Sequence, residues 1–197
     1  MSRTDEELVT SSLAGDASAF DLLVLRWDRK IQGAIYRLMG SEEEARDLCQ
    51  EAFLKAYRGL AGFKGEARFS SWLYQIALNL CRDRMRRRRG RVMVSLDALE
   101  PDAQGQVLRD ATSTQDLVET HDLHQRVRAA VMALPDDQRE VIVLKEYEGL
   151  TFQEIAEVLG LPVSTVKTRL YRGLDRMRER LSREGVGAAV VSQAAAR

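Results

Sequence analysis

The sequence predicts an all-α protein built from two small helical domains that a flexible acidic linker joins. Apolar residues recur at three- and four-residue steps along most of the chain, which is the period of an amphipathic helix. No segment has the alternating pattern of a half-buried strand. Between residues 92 and 120 the periodicity fades into Asp, Gln, Gly, Ser and Thr around Pro101, a composition typical of a linker.

Size and composition narrow the class of protein. The chain has 197 residues, 45% hydrophobic and 30% charged, as expected for a globular protein with a buried core. No apolar run approaches the ~20 residues that cross a bilayer and the amino terminus carries no apolar leader, so we expect a cytoplasmic location and no membrane contact by this chain alone. Cys49 and Cys81 each lie in an amphipathic pattern, which favours buried, reduced thiols over a disulfide or half a metal site.

The charges are distributed unevenly along the chain. The formal net charge is zero, yet residues 63–91 carry a net charge of +7 and residues 92–125 a net charge of −6. Such an asymmetry indicates a surface that binds a polyanion beside a segment that cannot bind one.

The first domain begins with two amphipathic helices. Gly40 follows the first as a stop signal, and Ser41 with the carboxylates of residues 42–44 reads as the N-cap and first turn of the second. The second helix is expected to end near Gly59 and Gly62. The residues predicted to face inward are Phe20, Leu23, Val24, Trp27, Ile31, Ile35 and Leu38 on the first helix and Ala45, Leu48, Cys49, Ala52, Phe53 and Ala56 on the second.

A third helix joins an apolar half to an arginine block without a break, in FSSWLYQIALNLCRDRMRRRR. The preceding FKGEARF, residues 63–69, is predicted to be a loop; Ser70 or Ser71 is the expected cap, and Gly90 the expected end of the helix. Trp72 and Tyr74 stand either in the core or on a DNA-binding face.

The second domain, from about residue 122 to 181, is broken at Pro135, Gly149 and Gly160. Its most diagnostic segment is TFQEIAEVLGLPVSTVKTRLYRGLDRMRER, in which Thr151 caps one helix, a turn follows at Gly160, and Ser164 caps the next helix. Inward positions on these helices are Ile155, Ala156, Leu159, Val166, Leu170 and Leu174. This spacing predicts a helix-turn-helix, whose second helix enters the DNA major groove.

The second helix of this motif has a basic polar face. Residues 163–180 carry six basic and two acidic side chains, and Arg and Lys bind guanine or phosphate. The alternative is an ordinary helical hairpin with a solvated basic face. A helix-turn-helix alone does not say for what purpose DNA is bound.

Three motifs together resemble a known family. EEEARDLCQEAFLKAYRGL, FKGEARFSSWLYQIALNLCRDRMRRRR and the helix-turn-helix, in this order, resemble the extracytoplasmic-function group (group IV) of the sigma-70 family, which carries only the second and fourth conserved sigma regions. The resemblance covers about residues 17–90 and 122–182. It implies sigma region 2 over residues 1–91, a linker over 92–121 and sigma region 4 over 122–182; the remaining tail, 183–197, has no assigned role.

The resemblance implies an alternative sigma factor rather than an enzyme, with no cofactor. Such a factor binds core RNA polymerase, directs it to the -35 and -10 elements of promoter DNA and nucleates melting. An anti-sigma factor that wraps both domains is a further implied partner. The linker is expected to thread into the path that later holds RNA. The 31 residues from 91 to 121 could span about 100 Å when extended.

One implied surface docks on core polymerase. Its residues are Asp47, Leu48, Gln50, Glu51, Phe53, Leu54 and Lys55. Charges around apolar Leu54 suit a helix-on-helix interface. Without the family, Asp47 and Glu51 read as a solvated face, or as the carboxylate pair of a metal-dependent nuclease.

A second implied surface captures a base flipped from the -10 element and binds the adjacent phosphates. Its residues are Phe63, Lys64, Gly65, Glu66, Ala67, Arg68, Phe69, Trp72, Asn79, Arg82 and Arg86, and the arginines 84 and 87–89 extend the phosphate path. Stacking on aromatic faces contributes about 1–3 kcal/mol per base, which offsets the cost of unstacking a nucleotide.

A third implied surface reads the -35 element. Its residues are Thr151, Ser164, Thr165, Lys167, Thr168, Tyr171 and Arg172. A rival interpretation is an ordinary DNA-binding regulator that binds a palindromic operator without polymerase.

His121 and His124 are three residues apart, but a metal site would require further ligands that the sequence does not show, so no metal is expected.

Overall fold

In a computed structural model, residues 3–63, 65, 67–94 and 115–185 are described, and every regular element among them is helical. The all-α prediction is therefore confirmed. The helices are α1 Asp5–Leu13, α2 Ala17–Met39, α3 Glu42–Gly59, α4 Phe69–Val94, α5 Gln115–Met132, α6 Asp136–Ile142, α7 Phe152–Leu159 and α8 Val163–Arg183, with a 3-10 turn at Leu60–Gly62 and a π turn at Val143–Tyr147. We call α1–α4 the upstream module and α5–α8 the downstream module.

The predicted junction between α2 and α3 is confirmed. Gly40 ends α2 in the left-handed conformation, with φ of 77°, and the Ser41 hydroxyl accepts a hydrogen bond from the Glu44 backbone N–H at 3.3 Å. A left-handed residue is strained with any side chain, which is why glycine terminates the helix here. Of the predicted inward residues on these helices, most are buried, while Val24 and Trp27 are partly exposed.

Helix α1 was not predicted, although the sequence carries a signal for it. The Thr4 hydroxyl accepts from the Glu7 backbone N–H, and the Glu7 carboxylate accepts from the Thr4 N–H at 2.7 Å. Thr-x-x-Glu is the pattern of this capping box. Asp5, on the first turn, accepts a hydrogen bond from the Trp27 indole at 3.0 Å and so ties α1 to α2.

Both predicted ends of α4 are wrong. The helix begins at Phe69, whose ring is fully buried, rather than after Ser70 or Ser71. It also continues through Gly90 to Val94. Glycine inside a helix costs only about 1 kcal/mol relative to alanine, so it ends a helix only where the chain must also turn.

The predicted linker, 92–121, is helical at both ends as far as it is described. Residues 92–94 belong to α4 and residues 115–121 belong to α5. The polar composition of this segment lowers helix propensity without excluding helical ends. The centre of the predicted linker, residues 95–114, and the tail from residue 186 lie outside the described residues.

The helix-turn-helix forms as predicted except for its second cap. Thr151 caps α7 in a reciprocal capping box with Glu154, and Gly160 turns the chain with φ of 65°. Helix α8, however, begins at Val163 directly after Pro162, and Ser164 lies in its first turn without a capping bond. The Pro162 carbonyl accepts hydrogen bonds from the Thr165 and Val166 backbone N–H groups at 2.9 and 3.1 Å, so the first turn of α8 forms without a side-chain cap. Leu174 is only partly buried.

The two modules share one hydrophobic core and pack against each other. Arg139 of α6 is itself buried, and its guanidinium donates to the Leu38 carbonyl of α2 at 2.9 Å. Arg128 of α5 donates to the Gly40 carbonyl at 2.9 Å and lies over the Tyr36 ring. In this conformation, the modules that carry the expected -10 and -35 surfaces are therefore in direct contact.

The prediction of buried, reduced cysteines is confirmed. Cys49 and Cys81 are both free thiols with almost no exposed surface. Burial raises the pKa of each thiol to about 12, so neither is a nucleophile at neutral pH.

Among the helices that the structure describes, none combines the length and apolar character that crossing a membrane requires.

Candidate polymerase- and DNA-binding surfaces

The residues predicted to dock on polymerase divide into an exposed row and a buried pair on α3. Asp47, Gln50, Leu54 and Lys55 are exposed, and Glu51 is half-buried beside Lys55 at 3.3 Å. By contrast, the other two predicted residues, Leu48 and Phe53, belong to the core. The buried pair anchors the helix, and the exposed row surrounds Leu54, 55% of which faces solvent.

The sequence prediction missed two apolar side chains on α2, the helix that packs against α3. Leu22 is 44% exposed and Leu25 is 76% exposed. Their signal was available, because both fall outside the three- and four-residue steps of the inward face of α2. A helix surface with such residues has apolar area free for a partner.

The loop before α4 and the first turns of that helix form an aromatic cavity of about 220 Å³. Phe63 and Trp72 line it, with ring centroids 5.0 Å apart. Phe69 is buried beneath them, 6.2 Å from Phe63 and 5.9 Å from Trp72, so it supports the two rings rather than facing the cavity. Three aromatic rings in contact hold the exposed pair in place.

Small and polar residues complete the wall of this cavity. Gly65 and Ala67 line it as predicted, whereas Lys64 and Glu66 lie outside the described residues. Its remaining lining residues from the upstream module are Gly62, Ser71 and Gln75. The sequence prediction missed all three. Ser71 and Gln75 lie one helical turn apart, and Asn79, which is exposed, follows one turn later.

Five arginines of α4 lie beside carboxylates in this conformation. Arg82 forms two hydrogen bonds to Glu140, at 2.7 and 2.6 Å, and Arg86 pairs with Asp83 on its own helix. Arg84 and Arg88 both lie beside Glu44 of α3, at 3.5 and 3.3 Å, and Arg89 pairs with Asp136 of α6. Most arginines of the predicted phosphate path thus have an acidic neighbour in this conformation.

Tyr74 belongs to the core, which decides between the two interpretations that the sequence left open for it. Its ring is buried, and its hydroxyl donates to the Glu148 carboxylate of the downstream module at 2.6 Å. Burial raises the pKa of Tyr74, and burial also raises the pKa of Glu148. Trp72 is half-buried, which places it both in the core and on the cavity wall.

The predicted -35 residues cluster at the start of α8. Ser164, Lys167, Thr168, Tyr171 and Arg172 are exposed, and Thr165 is half-buried. A groove is lined by Asp137, Gln138, Ser164, Thr165, Thr168, Arg169 and Arg172.

The buried face of α8 fixes the direction of these polar side chains. Val166, Leu170 and Met177 are buried. Thr151 lies apart from this cluster, at the start of α7, where its hydroxyl both accepts from the Glu154 N–H and donates to the Glu154 carboxylate at 2.8 Å.

Three residues of the groove were not predicted, Asp137, Gln138 and Arg169, and all three belong to the downstream module. Arg169 pairs with Asp137 of α6 at 3.3 Å, and the buried Gln138 has a side-chain oxygen without a hydrogen-bond partner.

Among the side chains that the structure describes, no cluster of three or more His, Cys, Asp or Glu could hold a metal ion.

The comparisons with known proteins agree with both modules. Residues 23–91 match the family described as Sigma-70 region 2, and residues 124–177 match Sigma-70, region 4. The RNA polymerase sigma-H factor of Pseudomonas aeruginosa is 37% identical over 187 residues, which cover 91% of this chain and 96% of that protein. The ECF RNA polymerase sigma factor SigW of Bacillus subtilis is 38% identical over 172 residues, which cover 85% and 91%.

Two solved structures resemble the whole arrangement. CnrH in complex with the cytosolic domain of CnrY gives a TM-score of 0.68 at 26% identity and covers 90% of this chain and 97% of that chain. The sigma factor RpoE of Bartonella quintana, in complex with the anti-sigma factor NepR, shares the fold with a TM-score of 0.66 at 24% identity, covering 83% and 96%. This protein therefore belongs to the extracytoplasmic-function group of the sigma-70 family, whose members are transcription initiation factors rather than enzymes.

Proposed function

We propose that this chain is an alternative sigma factor that binds bacterial core RNA polymerase, directs it to -35 and -10 promoter elements and nucleates DNA melting. The observation that carries the proposal is the presence, in one chain and in family order, of an aromatic cavity beside an arginine-rich helix and of an exposed basic recognition helix. The polymerase synthesises the RNA, and this chain determines the promoter at which synthesis starts.

The work divides between the two modules. Residues 1–91 bind polymerase and the -10 element, residues 92–121 link the modules, and residues 122–182 bind the -35 element. Support comes from the family matches, which start and end inside the first and third of these ranges. For the tail, 183–197, we propose no role. A chain with these partners acts in the cytoplasm.

Polymerase binds the exposed row on α3. Leu54 supplies apolar area, while Asp47, Gln50 and Lys55 set the register against a facing helix. Leu48 and Phe53 act indirectly, because they are buried and hold α3 in place. Leu22 and Leu25 of the neighbouring helix α2 extend the apolar part of this surface.

Melting is driven by trapping one unpaired base. Phe63 and Trp72 present aromatic surface at a cavity that also offers the polar side chains of Ser71 and Gln75. Stacking of about 1–3 kcal/mol offsets much of the few kcal/mol that unstacking a base costs. Asn79 and the arginines 82 and 86 continue the same path along α4, where they hold the next bases and phosphates.

The -35 element is read in the major groove by the first turns of α8. Lys167, Tyr171 and Arg172 are exposed there, together with the hydroxyl-bearing residues Ser164 and Thr168. Thr151, at the start of α7, is assigned to a backbone phosphate. To bind it, the Thr151 hydroxyl must give up its hydrogen bond to the Glu154 carboxylate. An anti-sigma protein that contacts both modules is the proposed regulator, because the sigma factor RpoE, which shares this fold, was solved in complex with the anti-sigma factor NepR.

Reconstitution with core polymerase tests the proposal. Transcript 5′ ends mapped genome-wide should lie downstream of one shared two-part element, and starts without such an element would contradict the function. Leu54→Asp should abolish binding to core polymerase in a pull-down, because it places a charge at the apolar centre of the docking row. The matched control is Leu13→Asp on α1, since Leu13 is 50% exposed and lies outside the proposed surface.

A further inference from the structure

Helices α3 and α4 of the upstream module run antiparallel and meet near both ends of α3. Trp72, in the first turn of α4, lies against Gly59 at the end of α3, so closely that a β-carbon on Gly59 would be 3.3 Å from its ring. At the opposite end, Glu44 in the first turn of α3 lies beside Arg84 and Arg88 of α4. The helix that carries the proposed polymerase row is therefore joined along its length to the helix that carries the aromatic cavity.

A single carboxylate, that of Glu44, lies beside both guanidinium groups. Its Oε1 accepts a hydrogen bond from Arg84 at 3.5 Å, and its Oε2 lies 3.3 Å from an Nη atom of Arg88. The Glu44 side chain is only 15% exposed, and Oε2 is buried without a hydrogen bond. A carboxylate removed from water in this way is stable only beside opposite charges. We call Glu44, Arg84 and Arg88 the α3–α4 clamp.

The two arginines of the clamp stand on the opposite side of α4 from the line that leaves the cavity. Arg86 is two residues from each of them, which corresponds to a rotation of about 200° around the helix. Gln75, on the cavity wall, is three turns before Arg86, and Arg89 is one turn after it, so these three residues share a side. A strand that leaves the cavity along α4 therefore reaches Arg86 and Arg89 rather than Arg84 and Arg88.

The partners of these arginines also differ in burial. The Arg86 side chain is 78% exposed, and its partner Asp83 is 45% exposed on the same helix. Exposed pairs contribute little stability, so Arg86 can exchange Asp83 for a phosphate at small cost. If Arg84 or Arg88 moved to a phosphate, the nearly buried Glu44 would lose a compensating charge, which is strongly unfavourable.

We propose that Glu44 is a positioning residue that, through Arg84 and Arg88, fixes the register of α4 on the polymerase-bound helix α3, while the side of α4 that carries Arg86 and Arg89 binds the DNA backbone. The inference rests on the proposed function, because that function assigns polymerase to α3 and the melted strand to α4. Apolar contacts alone allow two helices to slide, whereas complementary charges set a register. The clamp thus determines where the base-trapping cavity lies relative to polymerase.

Two variants that remove the same charge from α4 test the division of the arginines. Arg84→Ala/Arg88→Ala removes the clamp, and Arg86→Ala/Arg89→Ala removes the proposed phosphate contacts. Each is assembled with core polymerase, and its affinity for a pre-melted promoter is measured over a range of KCl concentrations. Loss of two phosphate contacts should reduce the slope of log affinity against log salt concentration by about 1.4, since each contact to a single strand contributes about 0.7.

We expect this reduction for Arg86→Ala/Arg89→Ala and an unchanged slope for Arg84→Ala/Arg88→Ala. Equal reductions in the two variants, a reduction in the clamp variant alone, or no reduction in either would overturn the division of α4 into two sides.

The positioning role is tested by the rate at which the holoenzyme opens a duplex promoter, followed by the fluorescence of 2-aminopurine in the -10 element. Glu44→Gln and Arg84→Ala/Arg88→Ala should each slow opening about tenfold, and their combination should slow it no further, because both remove the same contact. The affinity of each variant for core polymerase should be unchanged, since the proposed docking row begins one turn later, at Asp47.

A control separates position from stability. Ile31→Val removes one methylene group from a fully buried side chain of α2, so it destabilises the same module without removing a charged contact. Urea unfolding ranks the stability of all variants. If Ile31→Val slowed opening as much as Glu44→Gln does at a similar loss of stability, or if neither clamp variant slowed opening, the positioning role would be refuted. Failure of wild type to bind core polymerase would refute the proposed function instead, and non-additive losses in urea unfolding would still test the contact of Glu44 with the two arginines.

Discussion

At the scale of the residue, similar arginines have different partners. Arg82 and Arg172 both stand on the polar faces of long helices, but Arg82 makes two hydrogen bonds to a buried carboxylate whereas Arg172 is exposed beside the groove at the start of α8. Substitution of Arg82 therefore reports on the contact between modules as well as on DNA. Substitution of Arg172 reports on DNA alone.

Arg172→Ala should weaken discrimination between the correct and a mutated -35 element by about 1–3 kcal/mol if the side chain hydrogen-bonds a base edge. Competition binding with the holoenzyme on matched promoters measures this difference. Arg178→Ala is the control, because Arg178 is exposed on the same helix and pairs with Asp175 at 2.9 Å. A uniform loss for all promoters would assign Arg172 to a phosphate.

At the scale of the element, two glycines that were both predicted to end a helix have different conformations. Gly90 and Gly160 both read as helix ends. Gly160 has a left-handed φ of 65° and ends α7, whereas Gly90 lies inside α4. Neither position has an atom within 4 Å of where a β-carbon would be, so backbone conformation alone determines the effect of a side chain.

Alanine at these two positions should change stability in opposite directions. Gly160→Ala should lower the free energy of unfolding by about 1–2 kcal/mol, because a side chain is strained in the left-handed region. Gly90→Ala should raise helix stability by about 0.5–1 kcal/mol, because glycine loses more entropy in a helix. Urea unfolding monitored at 222 nm measures both. A stabilising Gly160→Ala would contradict the turn geometry.

At the scale of the whole molecule, carboxylates at the contact between modules respond differently to burial. Burial raises the pKa of Glu148, although its hydrogen bond from Tyr74 acts against the shift. By contrast, the backbone and hydroxyl of Thr151 lower the pKa of Glu154. The stability of the packed molecule therefore depends on pH through two groups with opposite signs.

Stability measured between pH 3 and pH 7 should separate the two carboxylates, because the lowered pKa of Glu154 places its transition at the acid end of this range. The stability that Glu148 contributes is fully present below the unfolded pKa and is lost as pH rises through the raised folded pKa. The free energy of unfolding of Glu148→Gln should therefore increase relative to that of wild type as pH rises. The stability that Glu154 contributes is present above the unfolded pKa and is lost as pH falls through the lowered folded pKa. The free energy of unfolding of Glu154→Gln should therefore decrease relative to that of wild type as pH rises. Urea unfolding of all three proteins at each pH gives the differences. Parallel curves for the two variants would contradict the assigned environments.

Much of the candidate site could be predicted from local sequence. The basic face of the recognition helix follows from residue type and helical period, whereas the base-binding loop and the row around Leu54 were implied by the resemblance to the family. Ser71 and Gln75 were missed because nothing in their spacing says that a loop folds over them to make a cavity. Gly90 was misread because local sequence does not state whether a chain must turn.

By itself, then, the sequence determined an all-α chain with two modules, the faces that their helices bury, and the motifs that assign it to its family. Only the tertiary structure decided how those modules stand against each other. The physical reason is separation along the chain: Arg82 meets Glu140 58 residues away, Tyr74 meets Glu148 74 residues away, and Arg139 meets Leu38 101 residues away. Helical periodicity acts over a few turns, whereas these partners are chosen by how complete surfaces fit and exclude water.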